Sequence, residues 1–266
     1  MTHNNNNYYW ENFKSISLIL IAAFIIRTVG FGLYKLPPSG SMETTLLDGE
    51  SVFADKFSYW ITSPKRGDII ACNSPKYEYS SNPVMKLWQN YVWGPDNWTK
   101  RVIGLPGDHV KGVIEDGKPV VYVNGQKLDE PYVNKYPLIR CSGEHAKSFD
   151  PNCDFQNQPF YRINQDKVIT NGAGQVSVIP AQTPITIDEF DVNLGPKEYW
   201  LMGDNRLNSA DSRVVGPVEG NLIHGKIIFR IFSIDSNENW MILDLLKHPI
   251  DFFRRIRWSR CLNIVR

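Results

Sequence analysis

The chain has 266 residues, so one large domain or two small ones are expected. Its composition, with 42% hydrophobic and 21% charged residues, is ordinary for a folded protein with a sizeable core. A net charge of +1 excludes a global field that would draw the chain to nucleic acid, and four cysteines are too few for a disulfide scaffold.

An apolar segment near the N-terminus predicts a membrane anchor. Ser15–Tyr34, which begins "SISLILIAAFII", has roughly the 20 residues that a helix needs to cross a bilayer. The alternative is a cleaved signal peptide, since Lys14 precedes a short apolar core. No small-x-small cleavage site follows that core, so an uncleaved anchor is favoured. We therefore expect an N-terminal tail (residues 1–14) and a single transmembrane helix (15–34).

After Lys35 the pattern changes to short β-like runs separated by turn residues. Asn124–Gly125 lies between "VVYV" and "QKL" and predicts a tight hairpin turn. No alternating strand–helix pattern follows, which argues against a parallel sheet. We expect a mainly β, antiparallel domain over residues 35–244. Its predicted strand regions are "DGESVFADKF", "KRGDIIAC", "GDHVKGV", "KPVVYVNGQKL" and "GQVSVIPAQTPITI".

Two insertions interrupt the predicted strands, and a basic tail follows them. The insertion near residues 73–98 is rich in aromatic residues, and the one near 141–160 is polar. The tail, residues 245–266, mixes Leu, Phe and Trp with five arginines. It is either a surface helix with solvated charges or an amphipathic segment that lies on anionic lipid headgroups.

Three segments contain candidate catalytic residues. A serine hydroxyl is a poor nucleophile until a base takes its proton, and histidine is the usual base. Neither a G-x-S-x-G elbow nor an S-x-x-K pattern occurs, so a histidine-dependent hydrolase and a lactamase-like enzyme have no signature support. The three segments are "PSGSM" (Pro38–Met42), "TKRVIGLPGD" (Thr99–Asp108) and "GDNRLNSADSR" (Gly203–Arg213).

Lys100 is a candidate for a base that replaces histidine. Burial in an apolar setting lowers the pKa of a lysine, and shifts of several units are known. If this segment is a strand, Lys100 shares one face with Trp98 and Val102, and Arg101 points to the other. The alternative is an ordinary surface lysine.

Taken together and in this order behind an apolar segment, "PSGSM", "KRVIGLPGD" and "GDNRLNSADSR" closely resemble the boxes of bacterial type I signal peptidase, or leader peptidase. With the first two β-like runs, the resemblance covers the recognisable parts of residues 15–232 and leaves out both insertions and the tail. It implies a signal-peptidase-type antiparallel β domain. The implied enzyme is a serine endopeptidase that removes signal peptides from secreted precursors, cutting after small residues of the Ala-x-Ala type.

The resemblance also assigns catalytic roles to four residues. Ser41, before the methionine, corresponds to the nucleophile, and Lys100 to the general base. The hydroxyl of Ser39 joins the backbone N–H of Ser41 in the oxyanion hole. Ser209 orients the lysine. No cofactor or metal ion is expected.

Further residues are expected around this site, and two positions depart from the family pattern. Thr44 stands where the family usually has proline, and Leu207 where it often has aspartate. Family members bind an extended peptide by strand addition. The expected walls of the substrate pockets are Pro38, Met42, Leu46 and Trp98. The expected polar scaffold, paired within itself, consists of Arg101, Asp204, Arg206, Asp211 and Arg213.

The resemblance further implies where the protein lies. Charge does not decide the orientation of the anchor, because Lys14 and Lys35 flank it almost evenly. Precursors are cut on the trans side, so we expect the bacterial inner (cell) membrane, with the catalytic domain on the periplasmic or extracytoplasmic side. The expected partners are precursor proteins and the lipid bilayer, without nucleic acid. In that oxidising compartment Cys141 and Cys153 are disulfide candidates, and two free thiols are the alternative.

Two other classes of protein remain possible from the sequence. The self-cleaving repressors of the DNA-damage response use a similar Ser-Lys pair, but they have no membrane anchor. A non-enzymatic, membrane-tethered β domain that binds a partner gives no reason for Ser41, Lys100 and Ser209 to come together. Loss of activity in Ser41→Ala distinguishes the enzyme from this binding module.

Overall fold

The structure is a computed structural model, and it shows mainly antiparallel strands. It describes residues 3–25, 28, 30–37, 39–43, 45–91, 97–115, 118–133, 140–141, 162–164, 167–169, 176–177, 188–206, 209–236 and 241–265. The described strands are β1 (Phe31–Lys35), β2 (Glu50–Asp55), β3 (Ile69–Asn73), β4 (Asn97–Gly104), β5 (His109–Glu115), β6 (Lys118–Val123), β7 (Gln126–Lys127), β8 (Arg140–Cys141), β9 (Arg162–Asn164), β10 (Lys167–Ile169), β11 (Val176–Ser177), β12 (Phe190–Asn193), β13 (Glu198–Met202), β14 (Val218–Glu219), β15 (Ile223–Ser233) and β16 (Asn263–Ile264).

Helices are short, apart from the one at the N-terminus. The described α-helices are α1 (His3–Ile25), α2 (Ser58–Ile61), α3 (Pro83–Tyr91), α4 (Ser212–Val215), α5 (Met241–Lys247) and α6 (Pro249–Arg254), and Gly220–Leu222 and Trp258–Arg260 form single 3-10 turns.

The largest sheet has eight strands. Seven of them follow the order β1-β2-β15-β3-β4-β13-β14, and β16 pairs with β15. β3 lies between two neighbours and is buried along its whole length, which explains its apolar run "IIAC" before the buried Asn73. β2 instead alternates, because every second side chain from Glu50 onward points into the protein. All pairings in this sheet are antiparallel, as predicted.

A second sheet, in the order β12-β5-β6-β7, packs beside the first. The turn between β6 and β7 is Asn124–Gly125, and both residues have positive φ angles, 52° and 77°. The hairpin predicted at this dipeptide is therefore confirmed. Val110 and Val121 from this sheet pack with Trp200 and Met202 of β13, so one apolar cluster joins the two sheets.

The N-terminal segment differs from the prediction. α1 begins at His3, so residues 3–14 are not a tail separate from the helix. The α-helical range described at its other end is bounded by Ile25, and Phe31–Lys35 form β1, paired with β2. One helix through Tyr34 is thus wrong, because the backbone of its last residues forms sheet hydrogen bonds. Within the described part of the chain, no helix combines the length and the apolar character that crossing a membrane requires.

Both insertions and the tail were also assigned from sequence. The first insertion contains the end of β3, the helix α3 and the start of β4. Most of the polar insertion, with Cys153 and the side chain of Cys141, lies outside the described residues. The tail forms α5 and α6 and ends in β16, which joins the main sheet at Phe229 and Arg230. The end of the tail is therefore part of the domain, and its contact with lipid headgroups stays a prediction.

Candidate active site

Residues 36–50, which run from the end of β1 to the first residue of β2, are called the serine loop below. Gly40 has a φ of 62°, a left-handed conformation that favours glycine and turns the chain between the two serines. Ser41 is buried, with 8% of its surface exposed, whereas Ser39 is exposed. Their Oγ atoms are 3.5 Å apart, which is long for a hydrogen bond between hydroxyls.

Asp48 holds the first part of the serine loop. Its Oδ1 atom accepts hydrogen bonds from the backbone N–H groups of Ser39, at 3.1 Å, and Gly40, at 2.9 Å. A charged acceptor makes such bonds stronger than neutral ones. The carboxylate therefore fixes the backbone just before Ser41.

The segment after β13 holds the other side of the loop. The backbone N–H of Asn205 donates to the carbonyl of Ser41 at 3.1 Å, and its side-chain amide donates to the carbonyl of Gly40 at 2.9 Å. Gly203 lies between Ser41 and Ser209. A Cβ atom on Gly203 would lie 2.3 Å from Ser209 Oγ and 2.4 Å from the Ser41 carbonyl oxygen, so only glycine fits there.

Lys100 lies on β4, where it pairs with Ile70 of β3. On the other side Met202 pairs with Arg101, which brings Gly203, the next residue, level with Lys100. The side chain is 5% exposed, and its Nζ atom lies 5.6 Å from the centroid of the Trp98 ring. The prediction of a buried lysine on a strand is confirmed.

Burial lowers the pKa of Lys100 to about 8, and nearby Asp211 opposes this shift without cancelling it. The low pKa arises because an ammonium loses its hydration in the interior. A useful fraction of this lysine is therefore neutral near physiological pH. Lys100 and Ser41 both belong to the part of the chain that the structure describes, and no direct hydrogen bond joins Lys100 Nζ to Ser41 Oγ.

Ser209 is fully buried beside this lysine strand. Within the described residues, its Oγ atom has no hydrogen-bond partner. A buried hydroxyl without a partner is costly, so such groups generally have a reason. An amine that approaches from Lys100 would satisfy it.

Arg101 and Asp204 form a two-pronged ion pair behind the site. Arg101 Nε donates to Oδ1 at 2.8 Å and Nη2 to Oδ2 at 2.7 Å, and both side chains are almost fully buried. The remaining nitrogen, Nη1, donates to the carbonyl of Gly67 at 2.9 Å. Asp204 also accepts a hydrogen bond from Thr45 of the serine loop. The pair therefore connects β4 to the back of that loop.

Asp211 and Arg213 form a second buried pair. Arg213 Nε and Nη2 each donate to Asp211 at 2.9 Å, and Arg213 Nη1 donates to Asp188 at 2.6 Å. Burial alone would raise the pKa of Asp211, but the bonds from Arg213 and from the N–H of Gly203 hold that pKa below its usual range. Asp211 thus stays charged, and its negative charge is balanced mainly by Arg213.

Arg206 pairs outside the predicted set. Its guanidinium makes two hydrogen bonds to Glu130, one of them from Nη1 at 3.1 Å, and its Nε donates to the carbonyl of Gly203 at 3.2 Å. The predicted scaffold therefore does not pair entirely within itself, because Arg206 has a partner from the loop after β7.

The four predicted pocket residues do not form one group. Met42 and Leu46 are 4% and 2% exposed and pack in the same core cluster as Val52. Trp98 packs against a different cluster, with Ile70 and Val102 among its members. Pro38 lies outside the described residues, as do Thr44 and Leu207. A substrate-binding role for these residues stays a prediction.

Several residues of the site were missed in the sequence. Asn205 lies inside the segment "GDNR", and its position there was the one signal available. Thr45 and Glu130 carry no local signal, because their partners are distant in the chain. Asp48 bonds to Ser39 and Gly40 within the same loop, where no regular spacing marks such a contact. In the described ranges, no group of three His, Cys, Asp or Glu residues could hold a metal ion.

Comparison with known proteins gives consistent matches. The family model described as signal peptidase, peptidase S26, matches residues 9–232. Signal peptidase I of Buchnera aphidicola subsp. Acyrthosiphon pisum is 28% identical over 256 residues, which cover 88% of this chain and 79% of that protein. Signal peptidase IB of Staphylococcus aureus is 29% identical over 223 residues, or 84% of this chain and 88% of that protein. A crystal structure of a signal peptidase I from Enterococcus faecalis matches with a TM-score of 0.32 and 23% identity, covering 63% of this chain and 98% of that one.

Proposed function

Since this chain belongs to the signal peptidase family, peptidase S26, and is therefore a serine endopeptidase that removes signal peptides, we propose that Ser41 and Lys100 perform the cleavage. Ser41 is the nucleophile and Lys100 is its general base. Membership in a peptidase family does not favour the alternative of a non-enzymatic binding domain.

The observation that carries this proposal is the convergence at Gly203. This residue contacts the backbone of Ser41 on one side and the hydroxyl of Ser209 on the other, and it lies level with Lys100. These four positions come from three distant segments of the sequence. A lysine with a pKa of about 8 at their meeting point has the property that a base requires near neutral pH.

The reaction follows from these positions. Ser41 Oγ attacks the scissile carbonyl carbon, and its proton passes to neutral Lys100. The carbonyl oxygen becomes an oxyanion, which accepts hydrogen bonds from the Ser39 hydroxyl and the Ser41 N–H. Lys100 then returns the proton to the leaving amine, the C–N bond breaks, and an ester to Ser41 remains. A water molecule that gives its proton to Lys100 hydrolyses this ester in the second half.

Two features support the proposed roles of Ser209 and Ser39. Ser209, whose buried hydroxyl has no partner among the described residues, can accept a hydrogen bond from the Lys100 amine and orient it. Ser39 and Ser41 are 3.5 Å apart at Oγ, and in enzymes without substrate such contacts are often long and tighten on binding. One donor to an oxyanion is typically worth about 3 kcal/mol of transition-state stabilisation.

Buried ion pairs keep Lys100 available for this chemistry. Of the negative groups that raise the pKa of Lys100, Asp211 has the largest effect, but both of its carboxylate oxygens accept hydrogen bonds from Arg213. If Asp211 were unpaired, its full charge would favour the ammonium form. The arginine therefore shields the base from a carboxylate that the fold needs nearby.

The substrates are precursor proteins that carry signal peptides, in line with the names of the relatives. We expect an extended segment to bind beside the serine loop and to present small residues before the cut. Met42, Leu46, Trp98 and Pro38 are proposed to bound the pockets for these residues. Bulky side chains would then be rejected by overlap with the packed core around Met42 and Leu46.

The location is proposed from the same reasoning. We expect the N-terminal region, which includes α1, to associate with the bacterial inner membrane as its anchor. Several of its large apolar side chains are exposed to solvent, for example Leu18 at 68% and Ile19 at 66%. The catalytic domain then faces the extracytoplasmic side, where signal peptides emerge.

Cleavage of a precursor peptide with an Ala-x-Ala site tests the assignment. We expect Ser41→Ala and Lys100→Met each to lose at least about 1,000-fold in kcat, as removal of a nucleophile or base does in serine proteases. Matched controls are Ser81→Ala and Lys86→Met, both at exposed positions far from the loop in sequence. Substantial cleavage by Ser41→Ala would refute Ser41 as the nucleophile. An equal loss of kcat in the two controls would show that the loss is not specific to Ser41 and Lys100.

A further inference from the structure

We propose that the C-terminal tail positions the serine loop for catalysis, and that Arg257 and Arg260 are positioning residues for the signal-peptide cleavage. This inference rests on the proposed role of Ser41 as nucleophile. Neither arginine contacts the reacting atoms, and each acts through its hydrogen bonds to residues 45–50. The sequence predicted that the tail lies in solvent or on lipid headgroups. In the structure these two arginines instead bond to the serine loop, which suggests a further role for the tail.

Arg260 contacts the serine loop at two points. Its Nε donates to Oε1 of Glu50 at 2.7 Å, and its Nη2 donates to the carbonyl of Thr45 at 3.1 Å. Arg230 of β15 makes the equivalent bonds, to Glu50 Oε2 at 2.8 Å and to the Thr45 carbonyl at 2.6 Å. The Glu50 carboxylate is fully buried between these two guanidinium groups. Both ends of the second half of the loop are thus held by one arginine of the sheet and one of the tail.

Arg257 contacts the loop between those two points. Its Nη1 donates to the carbonyl of Asp48 at 3.0 Å. Asp48 is the residue whose carboxylate receives the N–H groups of Ser39 and Gly40. A shift of the Asp48 backbone therefore moves the acceptor that holds the chain just before the nucleophile.

Thr45 connects the same turn to the other side of the site. Its hydroxyl donates to Asp204. Arg206, two residues after Asp204, donates to the carbonyl of Gly203. Leu46 also donates its N–H to the carbonyl of Met42 at 2.9 Å. The loop is thereby fixed from the site by Asp204 and from the back by the tail.

The tail is rigid enough to serve as this support. β16 pairs with β15, and Val265 is buried in the same cluster as Met42 and Leu46. Upstream, Phe252 and Ile256 pack with Ile234 in a cluster of their own. Arg257 and Arg260 thus project from a segment that is bound to the domain on both sides of them.

The contacts of Glu50 separate positioning from folding. Without Arg260, the Glu50 carboxylate keeps Arg230, the Ser233 hydroxyl at 2.9 Å and the N–H of Leu47 at 3.0 Å. The variant Arg260→Met therefore leaves no buried carboxylate without partners. The variant removes one of the two guanidinium groups that bond to Glu50 and one of the two donors to the Thr45 carbonyl, and both losses loosen the position of the loop.

The test uses the full chain and an Ala-x-Ala precursor peptide, with Arg257→Met, Arg260→Met and the double variant. We expect kcat of the double variant to fall about tenfold or more, since misplacement of a reacting group by ~1 Å can cost on the order of 100-fold. KM should stay within about twofold, because neither arginine is proposed to contact the bound substrate. The pH at half-maximal kcat/KM should not move, since Lys100 keeps its surroundings. Arg257→Lys, which can still donate to the Asp48 carbonyl, should recover most of the single-variant loss.

Two controls make the result decisive. Arg254→Met removes an exposed arginine from the same tail and should keep the wild-type kcat. Val121→Ala weakens the core of the second sheet, where Val121 is 2% exposed, and should lower the melting temperature without lowering kcat. If the double variant unfolds, the two single variants are compared with Val121→Ala at matched melting temperature.

The outcomes are distinguishable from those of the proposed function. If Ser41→Ala is inactive while both arginine variants keep kcat within about twofold, the tail does not position the loop and this inference is wrong. If Val121→Ala, at a matched melting temperature, loses as much kcat as the arginine variants, their loss reflects lower stability and the inference is wrong as well. If Ser41→Ala itself cleaves, the proposed nucleophile fails first.

Discussion

Gly203 and Ser209 lie so close together that no side chain fits on the glycine, because its Cβ would be 2.3 Å from the Ser209 Oγ atom. The same Cβ would lie 2.4 Å from the Ser41 carbonyl oxygen, which belongs to the backbone and cannot rotate away. The glycine thus sets how closely the nucleophile loop approaches the residue proposed to orient Lys100.

Gly203→Ala should therefore inactivate the enzyme. We expect kcat to fall by about 100-fold or more, because displacement of the loop or of Ser209 by an ångström disrupts the reacting geometry. Gly107→Ala is the matched control, since its φ of +85° makes alanine strained although no atom lies within 4 Å of the added Cβ. Both variants should melt at lower temperature, and only Gly203→Ala should lose kcat in a peptide-cleavage assay.

The pH dependence of cleavage follows from Lys100. Only the neutral amine can accept the Ser41 proton, and burial lowers its pKa to about 8. The value of kcat/KM should therefore be low in acid, rise through about pH 8 and level off above it. Lys100→Arg should be inactive throughout, because a guanidinium does not lose its proton in this range. A profile with its maximum in mild acid would contradict the lysine base.

The buried amine of Lys100 should lower the stability of the folded protein near neutral pH. The pKa is about 8 in the folded protein and ~10.4 in an unfolded chain, so between these values the unfolded state binds more protons and stability rises with pH. Below pH 8 both states are protonated and the full penalty of the buried ammonium remains. Lys100→Met should raise the free energy of unfolding at pH 7 by on the order of 3 kcal/mol, at about 1.4 kcal/mol per pKa unit.

Urea unfolding at several pH values checks this expectation. The advantage of Lys100→Met should shrink between pH 8 and pH 10, and the exposed control Lys86→Met should show no such trend. An advantage that does not depend on pH would mean that packing, and not the buried charge, separates the two proteins.

Asp48 should matter through its oxygen atom and not through its charge alone. Asp48→Ala removes the acceptor for the N–H groups of Ser39 and Gly40, so kcat should fall about tenfold. Asp48→Asn keeps an amide oxygen in place and should retain most of the activity. The ratio of kcat between the two variants, measured with one precursor peptide, gives the result; equal activity in both would refute the role of this acceptor.

The buried pair of Arg101 and Asp204 should be costly to break. Arg101→Met leaves Asp204 without its two strongest donors, and removal of one partner of a buried pair typically costs about 3–5 kcal/mol. Arg66, which pairs with Asp108 and is 33% exposed, is the matched control, where about 0–1 kcal/mol is expected. Chemical unfolding of Arg101→Met and Arg66→Met compares them, and a similar small loss in both would show that the buried pair is not structurally important.

Features that depend on neighbouring residues could be predicted from the sequence alone. The Asn124–Gly125 turn, the antiparallel strands and the three boxes were recognisable because turn conformation, side-chain alternation and box spacing are local properties. For the same reason the boxes led to the family, and to Ser41 and Lys100 as candidates. The apolar run before Tyr34 was misjudged at its end, since hydrophobicity alone does not distinguish a helix from an edge strand such as β1.

Contacts between distant groups depend on the folded arrangement of the chain. Arg257 reaches the Asp48 carbonyl across 209 positions of the chain, and Arg206 reaches Glu130 across 76. No periodicity connects such residues, because their proximity depends on how the strands are ordered in the sheet and where the tail returns to it. The low pKa of Lys100 has the same origin, since it requires the dry interior that strands on both sides of β4 enclose.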